Sequence, residues 1–109
     1  MKRGIQVDIQ IKKGVLDACV LYALKGGESY GYKILSDLKD IIDISESTLY
    51  PILKRLEAGG ALKTYSREFN GRLRRYYTLT AFGESKLEEY RRDFESVILI
   101  YKKIFGEGI

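Results

Sequence analysis

Apolar side chains recur at helical spacing along most of the chain, interrupted by one stretch where the period becomes that of a strand. Val15, Leu16, Cys19, Val20, Ala23 and Leu24 form the first stripe, which predicts a helix over residues 9–25, ended by the glycines at 26 and 27. Its start is open, because IQVDIQI at residues 5–11 alternates apolar and polar as a short strand would. Ser29 stands where an N-cap belongs, ahead of a second helix over 30–42 with Ile34, Leu35, Leu38 and either Ile41 or Ile42 facing inward. A short turn at 43–45 follows. Leu49, Ile52, Leu53 and Leu56 then predict a third helix that runs to about residue 59. Beyond it, ALKTYSREF and RLRRYYTLT flank Asn70-Gly71, a dipeptide suited to a two-residue hairpin turn in which both positions need positive φ. Thr80 caps a last helix over 81–105, where Leu87, Tyr90, Phe94, Val97, Tyr101 and Ile104 are spaced alternately three and four residues apart, as in a heptad seam.

This order, with two helices joined by a tight turn and followed by a hairpin, predicts a mainly α fold with a small β-hairpin (α+β). It is the plan of a winged helix-turn-helix, which would occupy residues 1–80, with residues 81–109 as a separate C-terminal helix. In such a fold the third helix is the candidate reader of a DNA groove. Pro51, the chain's single proline, falls inside that helix. If the cap lies near Ser47 or Thr48, the proline sits in or beside the first turn, whose amides have no internal partner. If the helix starts at Ser45, the proline kinks it slightly. Either placement marks the tip of the helix. Ser47, Tyr50, Pro51, Lys54 and Ala58 share the face opposite the leucines, and their hydroxyls, phenol and ammonium suit bases and phosphates. An ordinary solvated helix would read the same way.

Composition narrows the chemistry. A chain of 109 residues, 45% apolar and 31% charged, fits one soluble domain with a modest core. The longest apolar run, VILIY at 97–101, is far short of the roughly 20 residues of a membrane span, and MKRGIQVDIQ lacks the apolar stretch of a signal peptide. A cytoplasmic protein without membrane contact is expected. With one cysteine and no histidine, an internal disulfide, a cysteine cluster for zinc and the commonest general base are all excluded. No metal, cofactor or enzymatic activity is therefore expected. Cys19 lies on the apolar stripe and reads as a small buried hydrophobe.

The formal charge of +4 is concentrated in one place. The 22 residues from Lys54 to Arg75 hold seven basic and two acidic side chains, and the rest of the chain is close to neutral. A polyanion such as double-stranded DNA is the natural partner of this window. The candidate contacts are Ser45, Ser47, Thr48, Tyr50, Pro51, Lys54 and Arg55 on the third helix, and Arg67, Asn70, Gly71, Arg72, Arg74 and Arg75 on the hairpin. Tyr30 and Lys33 are candidates for a phosphate. Tyr77 and Leu79 share a strand face expected to be buried. A charged hairpin kept for solubility, or a winged helix that docks an acidic protein surface, would show the same charge.

The last helix has more apolar surface than one stripe. VILIY covers several sides of it, and a helix apolar on several sides needs cover on several sides. A homodimer through Leu87, Tyr90, Phe94, Val97, Ile98, Tyr101, Ile104 and Phe105 supplies that cover.

Four stretches, LDACVLYAL, SYGYKI, STLYPILKRLEAGGAL and GRLRRYYTLTAFG, cover most of residues 16–83 and resemble the PadR-like transcriptional regulators. The resemblance implies a dimeric winged-helix repressor with its dimer helix at the C-terminus, in the compact branch that has a single short last helix. Members commonly control detoxification, efflux or phenolic-acid stress genes, and some bind flat aromatic effectors between the subunits. The resemblance leaves open whether this chain takes a small aromatic ligand at the dimer interface. Because the chain has no tryptophan, stacking there would fall to tyrosine or phenylalanine.

Overall fold

A computed structural model describes residues 9–106, with side chains from Gly14 onward. The elements are α1 (Ile9–Ala23), α2 (Gly31–Leu38), α3 (Glu46–Ala58), β1 (Leu62–Phe69), β2 (Arg72–Leu79) and α4 (Ala81–Phe105). This is the expected winged helix-turn-helix order. Residues 9–11 are helical, and the strand-like reading of residues 5–8 lies outside the described residues. So does the end of the 81–109 segment beyond residue 106.

The helix ends correct the expectations in three places. α1 stops at Ala23, two residues early, as the backbone turns toward Gly27 at φ +134°. Ser29 does not cap α2. Its amide and carbonyl pair with Tyr77 at 3.0 and 2.8 Å, which ties the chain between α1 and α2 to the wing and leaves Tyr30 as an N-cap without a side-chain hydrogen bond. A residue that makes two backbone bonds to a strand lies in extended structure one step outside the cap position. α2 then ends at Leu38 rather than 42. The turn that follows settles the ambiguous pair, with Ile42 buried and Ile41 exposed.

α3 begins after Ser45, whose hydroxyl accepts from the Thr48 amide at 3.3 Å. Pro51 is therefore the sixth residue of a continuous helix, more than one turn past the cap. A proline has no amide hydrogen, so Pro51 cannot donate the usual helical bond to the Ser47 carbonyl. The hairpin follows, with Asn70 and Gly71 at φ 53° and 79° in the two-residue turn and Tyr65 opposite Tyr76 in the antiparallel register. Thr80 caps α4, accepting from the Gly83 amide at 3.0 Å and donating to the Gly60 and Ala61 carbonyls at 2.7 and 3.0 Å.

One core joins these parts. Leu16, Val20, Leu21 and Leu24 of α1 meet Ile34 and Leu38 of α2, Leu49, Ile52, Leu53 and Leu56 of α3, and Leu62 and Tyr77 of the wing. The helical stripes read from the sequence are its walls. Removing any of the fully buried leucines would leave a cavity costing about 2–5 kcal/mol.

Candidate nucleic-acid interface

At the tip of α3, Ser45, Ser47, Tyr50, Pro51 and Lys54 are exposed and Thr48 is half-buried beside the cap. Ser45 Oγ lies 3.1 Å from both the Ser47 and the Thr48 hydroxyls, so the three hydroxyls form one polar cluster at the helix start. Tyr50 leans against Gly31 at the crossing with α2, where a Cβ on residue 31 would fall 2.1 Å from the phenol oxygen. That contact holds the phenol between α3 and the start of α2.

Arg55 has a partner within the protein. Its Nη1 and Nη2 donate to Asp17 Oδ2 and Oδ1 at 3.0 and 2.7 Å, a bidentate pair that ties α3 to α1. The hydrogen bond to Asp17 raises the Arg55 pKa, and the pair holds the guanidinium although the side chain stays 45% exposed. The partner lies 38 positions earlier and leaves no local signal in the sequence.

On the wing, one face carries a layer of rings and guanidiniums. Arg74 lies over the Tyr30 and Phe69 rings at 3.9 and 3.8 Å from their centroids. Arg67 lies over Tyr76 at 4.3 Å and also donates to Glu28 at 2.8 Å. Tyr65 stacks on Tyr76 at 5.5 Å, and Tyr30 meets Tyr76 edge-on at 5.8 Å. The layer buries Tyr76, so both neighbours Tyr76 and Tyr77 are buried on opposite faces of the strand, where only the face of Tyr77 and Leu79 was expected to be. Burial alone would raise the Tyr76 pKa, but the guanidiniums of Arg67 and Arg74 outweigh it and the net shift is downward. Arg67 and Arg74 are directly opposite each other in the register, a like-charge pair that the intervening rings and Glu28 make tolerable.

Arg72 and Arg75 are exposed, Arg75 donating to Thr64 at 3.4 Å. Leu73, 79% exposed beside the Asn70-Gly71 turn, is the most exposed large apolar side chain among the described residues. It was not a candidate from the sequence, where its place in an alternating strand reads as ordinary.

These elements converge on an open cleft of about 580 Å³ lined by Tyr30, Gly31, Tyr32, Tyr50, Arg74, Arg75 and Tyr77. It lies at the start of α2, whose first-turn amides have no side-chain cap, and between the tip of α3 and the base of the wing. Uncapped amides, three phenols within reach of solvent and two guanidiniums make it a place for an anion. Lys33 is not part of it. That ammonium pairs with Asp37 at 2.9 Å on a separate groove beside Glu28 and Ser29.

The long helix divides in two. Leu87 and Tyr90 pack against the core of their own domain, and every described residue from Arg91 to Gly106 is exposed. The heptad spacing runs through both halves, so spacing could not separate the lid on this domain from the free helix beyond it. Phe94, Val97, Ile98, Leu99, Ile100, Tyr101, Ile104 and Phe105 are left uncovered. Beside Phe94 a groove of about 810 Å³ opens between α1 and α4, lined by Cys19, Tyr22, Leu79, Leu87 and Tyr90 among others. Burial raises the Cys19 thiol pKa, in keeping with an unreactive side chain.

A helix-turn-helix followed by a basic two-stranded wing defines the winged-helix class of fold. Comparison with known proteins gives the family. Residues 20–89 match the Transcriptional regulator PadR-like family, and the chain belongs to it. It is 46% identical over 54 residues to a transcriptional regulator of Mycobacterium tuberculosis, half of each chain, and 30% identical over 104 residues to an uncharacterised protein of Lysinibacillus sphaericus, covering 91% of this chain and 94% of that one. Among solved structures, a transcriptional regulator from Clostridium thermocellum superimposes with a TM-score of 0.81 at 28% identity, covering 91% of this chain and 98% of that one. A PadR-like transcription factor from Bacteroides fragilis gives 0.76 at 34% identity, covering 87% and 94%. Among the described residues no helix is long and apolar enough to cross a membrane, and no group of three or more Cys, Asp or Glu is placed to hold a metal ion.

Proposed function

We propose that the protein is a cytoplasmic, homodimeric repressor that binds a pseudo-palindromic DNA operator through α3 and the wing. The observation that carries this reading is the convergence of the uncapped start of α2, Tyr50 and the wing arginines on one open cleft beside the α3 tip. A backbone phosphate seated in the cleft would set α3 into the major groove, with Ser47, Tyr50 and Lys54 toward the bases and Ser45, Thr48 and Pro51 shaping the tip. Arg72 and the Asn70-Gly71 turn reach the neighbouring backbone, and Arg75 the phosphate nearest the cleft. Arg67, Arg74 and Tyr30 support the wing from within its stacked layer. The free half of α4 is the dimer contact, because a run of uncovered Val97, Ile98, Tyr101, Ile104 and Phe105 is the surface a second copy would bury. The dimer represses by occupying promoter DNA. A small aromatic effector entering the groove between α1 and α4 would act beside that contact and release the operator.

Selection of bound genomic fragments, followed by footprinting and a salt titration, tests this. Two symmetric protected half-sites about one helical turn, or a small multiple of it, apart are expected, with a salt slope equal to several phosphate contacts. A monomer bound at full affinity to one unsymmetric half-site would overturn the dimeric reading. Equal affinity for selected and scrambled duplexes would favour a protein-docking module instead.

A further inference from the structure

Asp17 is the only buried carboxylate among the described residues, at 4% exposure. A carboxylate so placed needs charge and hydrogen-bond partners, and both of its partners come from other elements. Arg55 of α3 grips both oxygens, and the Tyr90 hydroxyl of α4 donates to Asp17 Oδ2 at 3.1 Å. Oδ2 therefore accepts from the reader helix and from the long helix at once. Burial, then the Asp17 charge and hydrogen bond, raise the Tyr90 pKa, so the phenol keeps its proton and remains a donor. Tyr90 is also the last residue of α4 to pack on the core of this domain, one position before the exposed stretch begins, with Phe94 lining only the groove against α1. Its ring passes α1 at Gly14, where a Cβ would meet Tyr90 Cε1 at 3.6 Å.

We propose that Asp17 is a positioning residue that fixes the angle between α3 and α4, and through it the spacing of half-sites that the dimer accepts. This rests on the dimeric DNA-binding reading above. In such a dimer the separation of the two α3 helices depends on where the free halves of α4 meet and on the angle each makes with its own reader. The free half, from Arg91 to Phe105, is roughly 22 Å long at 1.5 Å per residue. A tilt of about 10° at Tyr90 would move its far end by about 4 Å, more than the roughly 3.4 Å rise of one base pair. Leucine packing alone allows tilts of that kind, since apolar contacts have no direction. Two hydrogen bonds on one oxygen do have direction.

The test uses the full chain and duplexes that carry the selected half-site as an inverted repeat, with the centre-to-centre distance varied one base pair at a time. Tyr90→Phe removes one hydroxyl and keeps the ring. Asp17→Asn keeps the shape and removes the charge. Both should bind a single half-site as the unaltered protein does and sediment as the same dimer, while the preference for the best spacing over its neighbours falls about tenfold, within the range usual for coupling between sites. Added to Asp17→Asn, Tyr90→Phe should bring less than its own separate loss, because both act on one hydrogen-bonded cluster. A folded Tyr90→Phe protein that keeps the full spacing preference, or weakens on every spacing alike, would overturn the proposal by making the cluster merely stabilising. If the unaltered protein binds none of the duplexes, the DNA-binding reading itself fails, and this inference with it.

Discussion

Gly31 of α2 and Tyr50 of α3 are in direct contact, with no room for a single methyl group between them. The obstacle is the far end of a side chain that is itself exposed, so the protein has a way to yield. Gly31→Ala should push the Tyr50 phenol out of the cleft at a stability cost of no more than about 1–3 kcal/mol. The expected result is a nearly normal melting curve together with a narrower gap between operator and random DNA. Tyr50→Ala should narrow the gap to the same extent. A Gly31→Ala protein that discriminates as well as the original would show that the phenol's position does not matter for reading.

Gly83 makes the contrast. A Cβ there would fall 2.2 Å from the Ala61 carbonyl oxygen and 2.8 Å from Leu79 Cδ1, at the junction of α3, the wing and α4. Backbone cannot swing aside as a phenol can. Gly83→Ala should destabilise by at least the roughly 1–3 kcal/mol of an overpacked site, and should do so without DNA present. Thermal unfolding of the two alanine variants side by side checks this, and Gly83→Ala should melt clearly lower.

The arginines of the wing separate by their surroundings. Arg72 is exposed, so Arg72→Ala should weaken all duplexes alike and lower the salt slope by about one unit, and Arg72→Lys should restore most of the loss because a phosphate contact needs mainly a charge. Arg74 lies between two rings, a role that depends on a flat guanidinium. Arg74→Lys should therefore behave like Arg74→Ala, loosening the contact between the wing and Tyr30. Salt-dependent titrations of the four variants decide, and rescue of Arg74 by lysine would mean that its stacking is incidental.

How much of this was legible in the sequence depends on the range of the interaction. Helix stripes, the Asn70-Gly71 turn and the Thr80 cap are local patterns, and the elements follow in the expected order, with α1 and α2 ending earlier than their stripes. Ser29 misled because a cap and a bridging strand residue use the same small polar side chain, and only the distant Tyr77 backbone distinguishes them. The Arg55–Asp17 pair left no signal for the same reason, the two residues being 38 positions apart and Asp17 lying on a helix whose pattern reads as apolar cover. Tyr76 was missed because its burial is supplied by rings and guanidiniums from two other segments rather than by a core. The heptad seam was real as spacing, yet spacing could not say that Leu87 and Tyr90 close their own domain while Val97 and Ile104 stand free.

That division decides where to test the dimer. Phe94 is only 37% exposed and lines the groove against α1, so a charge there would strain the domain as well as any interface. Val97, 60% exposed and one turn further along, touches no such groove. In a single chain Val97→Asp should be tolerated, because an exposed helical aspartate costs only a few tenths of a kcal/mol in helix propensity. In the dimer the same residue would be an unpaired charge buried by the partner, at a cost of several kcal/mol. Sedimentation should find folded monomer, and operator binding should fall by orders of magnitude, since two linked half-site contacts bind far more tightly than one. The reader tip and the wing would be untouched. A Val97→Asp protein that remains a dimer with full operator affinity would place the interface somewhere other than the free half of α4.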